Sequence, residues 1–277
     1  MEKLQAALSK ARTARQKTGG PATAAPVTSR RQQVPKGSSA DDPTPAWEEL
    51  QRVDLAPAVL RRHRIVSREA TSDATPFDIL RTKIVLQMEQ NGWTRLAITS
   101  PEPNSGKTTL ACNLALGLGR QSSMRSMLFD FDLGSPEVHS FFDLKMRYGL
   151  PEVIIRNVDF AKQAVRVTEN VAVSVSPHPE RDPTRFLMMD RTVDLLDEVQ
   201  REYAPDIMVF DLPSALSSDK ALAFLQHVDC ALIVARAEQT RFRNLDRCEM
   251  EVAANTNVLG VALNGCRRSA LSANDIN

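Results

Sequence analysis

Ten consecutive residues, Ser100 to Thr109, carry the side chains and spacing that hold a phosphate group: Ser-Pro-Glu-Pro-Asn-Ser-Gly-Lys-Thr-Thr. They follow the run Trp-Thr-Arg-Leu-Ala-Ile-Thr at 93–99 and precede an Ala- and Leu-rich stretch of helical character. In a turn between strand and helix, the backbone N–H groups of such a loop point at an anion. Lys107 reaches the outer phosphates, and the Thr108 hydroxyl is placed to ligate magnesium. Pro103, Asn104, Ser105, Gly106, Lys107, Thr108 and Thr109 form the cradle. The pattern G-x-x-x-x-G-K-[ST] has Pro101 at its first position here, so the match is partial.

Carboxylates at two other strand ends complete the chemistry. One apolar run closes in Asp130-Phe131-Asp132 and another in Phe210-Asp211. A carboxylate at the tip of an apolar strand is costly to bury unless it meets a cation, and Mg-ATP supplies one. Any one of these aspartates alone would favour mere capping of the following turn. Three of them beside Gly106-Lys107-Thr108 favour a nucleotide site, with ATP and magnesium as the cofactors.

The elements that position these groups follow from periodicity. Short apolar runs near 94–99, 126–131, 171–175, 206–211, 229–235 and 258–264 read as strands. Amphipathic stretches near 107–120, 183–203, 218–227 and 241–255 read as helices between them. This alternation predicts an α/β fold with a mostly parallel sheet flanked by helices, and ligands gather at its strand C-terminal ends.

The chain has 277 residues, 42% of them hydrophobic, enough for a sizeable core. Its net charge of +1 gives no global field toward nucleic acid. Cys112, Cys230, Cys248 and Cys266 include no C-x-x-C pair, so neither a zinc site nor a disulfide framework is indicated, and a reducing cytoplasm fits. The four histidines lack ligand spacing. No apolar run approaches the roughly 18 residues that span a bilayer. Residues 1–45, rich in Ala, Pro, Ser, Thr and basic side chains, predict a disordered basic tail. A short amphipathic helix at 2–15 within it would suit peripheral contact with a membrane or a partner, with a frayed tail as the alternative. Residues 46–74 read as a linker and N-terminal extension, 75–268 as the nucleotide-binding domain, and 269–277 as a short C-terminal tail.

The motifs together resemble one family. Residues 98–115, from Ile98 through Lys107 to Asn113-Leu114-Ala115, are similar to the Walker A segment of bacterial tyrosine kinases, the BY-kinases of capsule and exopolysaccharide assembly. Residues 127–133 with Pro136 and His139 look like the second nucleotide motif of that family, and 206–213 with Asp219, Val228 and Asp229 like its Walker B segment. The resemblance runs from about Thr75 to Arg267. It implies a P-loop NTPase of the deviant Walker A, MinD-like type, in which Lys107 and the loop hold the phosphates. Thr108, Asp130 and Asp211 would serve the metal. Asp130 and Asp132 would assist metal binding and activate a tyrosine hydroxyl or water, and Asn264 would contact adenine. A role for Asn264 as a strand-terminal turn residue reads equally well. The resemblance further implies ATPase or protein-tyrosine kinase activity, a membrane polysaccharide co-polymerase as activating partner, a homo-oligomer, and a place in the cytoplasm at the inner membrane through that partner.

The chain departs from the pattern at named positions. The usual loop glycine is Asn104, the non-glycine residue that takes a left-handed backbone at least cost; the usual loop Glu is Ser105, and a common Arg is Gly134. In the E-x-x-R-x-x-R oligomerisation helix only Arg81 is kept, and Asp78 reverses a charge. No tyrosine follows residue 203, and Tyr148 and Tyr203 read as packing residues. Met188 and Met189 read as core positions of one helix. Two rival readings stand beside the kinase: a nucleotide-binding scaffold with little turnover, and a positioning ATPase of the MinD/ParA branch. The second would carry a lysine where this chain has Glu102.

Overall fold

A computed structural model of the chain describes residues 45–217 and 219–266. One compact unit spans Lys36–Gly265; the other, Met1–Pro35 with Cys266–Asn277, contributes only the exposed thiol of Cys266 to the described residues. The tail at 1–44, the helix at 2–15 and the tail at 269–277 lie outside the described residues.

Among the described residues, eight strands form one sheet: β1 (Gln51–Arg52), β2 (Arg95–Thr99), β3 (Ser126–Asp130), β4 (Val165–Arg166), β5 (Val171–Ser174), β6 (Ile207–Asp211), β7 (Cys230–Arg236) and β8 (Asn257–Asn264). Their order is β1-β4-β5-β3-β6-β2-β7-β8, and every pair is parallel except β4 with β5. The six strands legible in the sequence are present within a residue or two. The two-residue strands β1 and β4 carry no periodicity to read.

Side chains alternate between the sheet faces, as the pleat requires. Phe129 and Phe210 stack at 5.2 Å on one face, in a cluster with Phe131 and Phe224, whereas Ile98, Leu128 and Val209 pack on the other face against Leu110 and Leu114. Those leucines belong to helix Lys107–Leu118, which follows the phosphate-type loop and is buried along almost its whole length. No charged residue interrupts it after Lys107, so it serves as the rigid floor of the loop.

Residues 46–74 differ from a linker. They contain helices Pro45–Glu49 and Pro57–Arg62, and they bury Trp47, Leu50, Leu55, Leu60 and Ile65. Single apolar anchors among charged and proline residues show no period, which is why this segment read as irregular. The helix expected at 183–203 is two helices, Pro183–Leu187 and Asp190–Tyr203, parted where Met189 turns extended at φ −74° and ψ 136°. Met188 is therefore 64% exposed rather than in the core, and Met189 packs at the core's margin. Tyr203 is a core residue, 4% exposed and edge-on to Phe160, whereas Tyr148 is half-buried beneath the Arg147 guanidinium. Among the described residues, no helix is long and apolar enough to cross a membrane.

Candidate functional site

Strand order sets the site. β2 lies between β6 and β7, so the loop after β2 opens where the connections diverge to the two sides of the sheet. Register then places Asp211 beside Ile98 of β2 on one side and beside Asp130 of β3 on the other. The sheet thus brings Asp130 and Asp211 together next to the loop residues 103–109. Asp132, two residues past Asp130, is half-buried at the rim, where its carbonyl accepts the Ser135 N–H at 2.8 Å.

The Thr108 hydroxyl donates to Asp211 Oδ2 at 2.6 Å, and Asp130 Oδ2 accepts the Val138 N–H at 2.9 Å. The other oxygen of each carboxylate, Asp130 Oδ1 and Asp211 Oδ1, is buried without a hydrogen-bond partner. Two carboxylates in this position disfavour each other's charge. Burial, then the neighbouring Asp211, pushes the Asp130 carboxyl well above its usual range. Burial pushes Asp211 up to about 7, opposed by the Lys107 ammonium and the Thr108 hydroxyl. Orphaned buried oxygens beside a threonine hydroxyl fit a divalent cation, since a hard cation supplies the charge their environment lacks. Among the described residues no group of three His, Cys, Asp or Glu is arranged as a metal site. A cation here would therefore draw its remaining ligands from Thr108, water and a ligand's own oxygens.

Two residues with left-handed backbone shape the loop. Asn104 has φ +61° and Gly106 φ +88°, so the asparagine holds the left-handed conformation its residue type tolerates. A side chain at Gly106 would run into the Asn264 amide as well as straining the backbone. Lys107 opens the helix N-terminus and is 8% exposed. Asn264 turns its amide to the loop: Nδ2 donates to the Ser105 carbonyl at 2.9 Å, and Oδ1 accepts the Gly265 N–H at 2.8 Å.

Several residues that shape the site had only weak sequence signals. Asn113, known from the sequence only as part of Asn-Leu-Ala, is fully buried. Its Oδ1 accepts the N–H groups of Val66 and Ser67 at 2.8 and 3.1 Å, while its Nδ2 donates to the Arg64 and Thr109 carbonyls at 3.1 and 2.8 Å. Glu102, read as a missing lysine, is held by Thr240 and Asn244. Asp229, by contrast, accepts the Thr94 and Arg95 N–H groups, both at 2.8 Å, at the start of β2 and away from the loop. A cavity of about 380 Å³ also lies at that far end, between Trp47, Arg120, Arg125 and Asn170. It has none of the loop or the carboxylate pair.

No protein-family model matches the chain. Among curated proteins it is similar to the putative tyrosine-protein kinase EpsB of Ralstonia solanacearum, 24% identical over 223 residues, covering 77% of this chain and 29% of that protein. It is also similar to the tyrosine-protein kinase YwqD of Bacillus subtilis, 26% identical over 215 residues, covering 76% of this chain and 89% of the relative. The chain spans less than a third of the first relatives it matches, 29% of one and 26% of another. Among solved structures, the kinase domain of the Escherichia coli tyrosine kinase ETK superposes with a TM-score of 0.66 at 25% identity, covering 74% of this chain and 80% of that one. The septum site-determining protein MinD of Pyrococcus horikoshii, with Mg-ADP, shares the fold at a TM-score of 0.53 and 18% identity, covering 66% of this chain and 75% of that one. The fold is thus that of the BY-kinase and MinD-like P-loop NTPases. The resemblance to bacterial tyrosine kinases read from the motifs extends across most of the described chain.

Proposed function

We propose that this chain binds Mg-ATP at the loop 103–109 and works as an ATPase or protein-tyrosine kinase of the BY-kinase type in exopolysaccharide or capsule assembly. The observation that carries the reading is the Thr108–Asp211 hydrogen bond of 2.6 Å beside the unpartnered oxygens of Asp130 and Asp211. In this reading the loop N–H groups and Lys107 hold the phosphates, and Thr108, Asp130 and Asp211 hold magnesium. The metal would neutralise charge building on the phosphates. Asp132, half-buried at the rim, is the carboxylate we assign to take a proton from a tyrosine hydroxyl or water. Asn264 holds the loop itself; an adenine contact would have to use the face of its amide not turned to Ser105 and Gly265.

The related kinases support a membrane polysaccharide co-polymerase as partner, which would bring a cytoplasmic protein to the inner membrane. Self-association through helix Thr75–Asn91 would compete with bonds this helix already makes within the chain. Asp78 is bonded within the chain, to Arg81 at 3.2 Å and Arg120 at 2.7 Å, and Arg81 also donates to the Gly117 carbonyl. The departures at Pro101, Asn104, Ser105 and Gly134 favour a second reading, a nucleotide-binding scaffold with little turnover, while the burial of Tyr203 argues against that residue as a phosphate acceptor. A positioning ATPase is the third.

ATP turnover and phosphotyrosine mass spectrometry, with and without the membrane partner, test this. Turnover or phosphotyrosine that vanishes in Lys107→Ala supports the enzyme; binding without Lys107-dependent turnover supports the scaffold. ATP-dependent DNA binding would move the protein to the positioning class.

A further inference from the structure

Most phosphate loops owe their shape to glycine, yet this one has a single glycine between Ser100 and Thr109. Its carbonyl oxygens are instead drawn outward by side chains. Arg236, at the end of β7, donates from Nη1 to the Asn104 carbonyl at 2.6 Å, and Asn264, at the end of β8, donates to the Ser105 carbonyl at 2.9 Å. The Glu102 carbonyl accepts the Ser100 and Ser105 hydroxyls at 2.7 and 2.9 Å. Its carboxylate is gripped from helix Phe242–Ala253 and the turn before it, by Asn244 Nδ2 at 2.7 Å and the Thr240 hydroxyl at 3.2 Å. That hydroxyl in turn accepts the Arg236 N–H at 2.9 Å, so the contacts form one connected network.

Peptide geometry gives the network a direction. In a trans peptide the C=O of one residue and the N–H of the next point opposite ways. Anchoring the Asn104 and Ser105 carbonyls on the β7–β8 side therefore aims the N–H groups of Ser105 and Gly106 to the other side, where an anion is received. Arg236 also fixes the peptide that follows the left-handed Asn104, the residue whose conformation glycine would otherwise supply.

We infer that Glu102, Arg236 and Asn264 are positioning residues that clamp the loop in its phosphate-binding shape, replacing the glycines it lacks. The inference rests on the nucleotide reading above, and two measurements separate them. Hydrogen exchange at the amides of 104–107 in the nucleotide-free protein reads the clamp directly. It should rise about tenfold in Arg236→Ala and in Glu102→Ala. Unchanged exchange in both overturns the clamp. Titration with a fluorescent ATP analogue and magnesium reads its consequence: affinity about tenfold weaker in Arg236→Ala and largely restored in Arg236→Gln, which keeps a donor without the charge. If Gln behaves as Ala while Lys restores binding, the residue acts by charge on the ligand, and the positioning role is overturned. Asn244→Ala loosens Glu102 from a half-buried helix position and serves as the second variant if Arg236→Ala does not fold; it should raise exchange at the same amides, and unchanged exchange there overturns the clamp. Failure of the wild-type protein to bind the analogue overturns the nucleotide reading, and with it the clamp's function.

Discussion

The two ends of the sheet use the same residue types to opposite effect. At the N-terminal ends of the strands, Asp229 accepts two N–H groups at 2.8 Å, Asp206 accepts the Arg125 N–H at 2.8 Å, and Asn170 donates to the Gln121 and Met124 carbonyls at 2.7 Å. These side chains complete the backbone hydrogen bonding where strands begin. At the C-terminal ends, Asp130 and Asp211 each leave a buried oxygen without a donor, and their carboxyls are pushed upward. Asp206 and Asp229 find backbone donors within the chain, whereas Asp130 and Asp211 each keep one buried oxygen without a donor. The position of an aspartate along its strand thus separates fold from function more reliably than its identity does.

Substitutions can break this contrast. The largest effect is expected from Gly106→Ala, which strains the loop at φ +88° and collides with Asn264. Affinity for Mg-ATP should fall at least about 100-fold by calorimetry, with the far-UV spectrum unchanged. Asp211→Asn comes next. It keeps an acceptor for Thr108 but removes the buried charge, so the magnesium dependence of nucleotide binding should shrink by about tenfold or more while the ligand-free protein gains stability at pH 8. At the opposite end, Asp229→Ala should cost about 2 kcal/mol in urea unfolding and leave Mg-ATP affinity within about twofold. A large loss of affinity in that variant would erase the contrast between the two ends.

The smallest effect is on pH. Asp211 stands at about 7 in the folded chain against its ordinary 3.8, so its contribution is complete below about 4 and is lost as pH rises through about 7. Without ligand, Tm should therefore be roughly 5 °C lower at pH 8 than at pH 6, and saturating Mg-ATP should remove most of that difference. A Tm that rises over this interval would show that Asp211 is ionised without help.

How much of this could be read in the sequence depended on the range over which each feature is specified. Strands such as Ile207–Asp211 are continuous apolar runs, and the loop is a contiguous motif, so both were legible. Asn104 was legible as well, because its left-handed conformation follows from residue type alone. The break at Met188–Met189 was not, since the stretch keeps helical residues on both sides and the break is marked only by a side-chain contact across it, the Thr192 hydroxyl on the Phe186 carbonyl. Glu102 could be noted only as a missing lysine. What it does depends on Thr240 and Asn244, 138 and 142 residues away, and no local pattern encodes that distance. The packed segment 46–74 was missed for a similar reason: its anchors, Trp47, Leu55 and Ile65, are meaningful only against the sheet they cover.

Asn113 gives the molecule a load path. One side-chain amide fastens residues 64–67 to the helix that begins at Lys107, through three hydrogen bonds of 2.8 to 3.1 Å, and a fourth comes from the Ser67 hydroxyl at 3.0 Å. Tension on the segment ahead of the sheet is borne by that amide and delivered one helical turn from the phosphate loop. A fragment begun at residue 75 would lose this fastening, so the safe place to cut this chain lies upstream of Trp47.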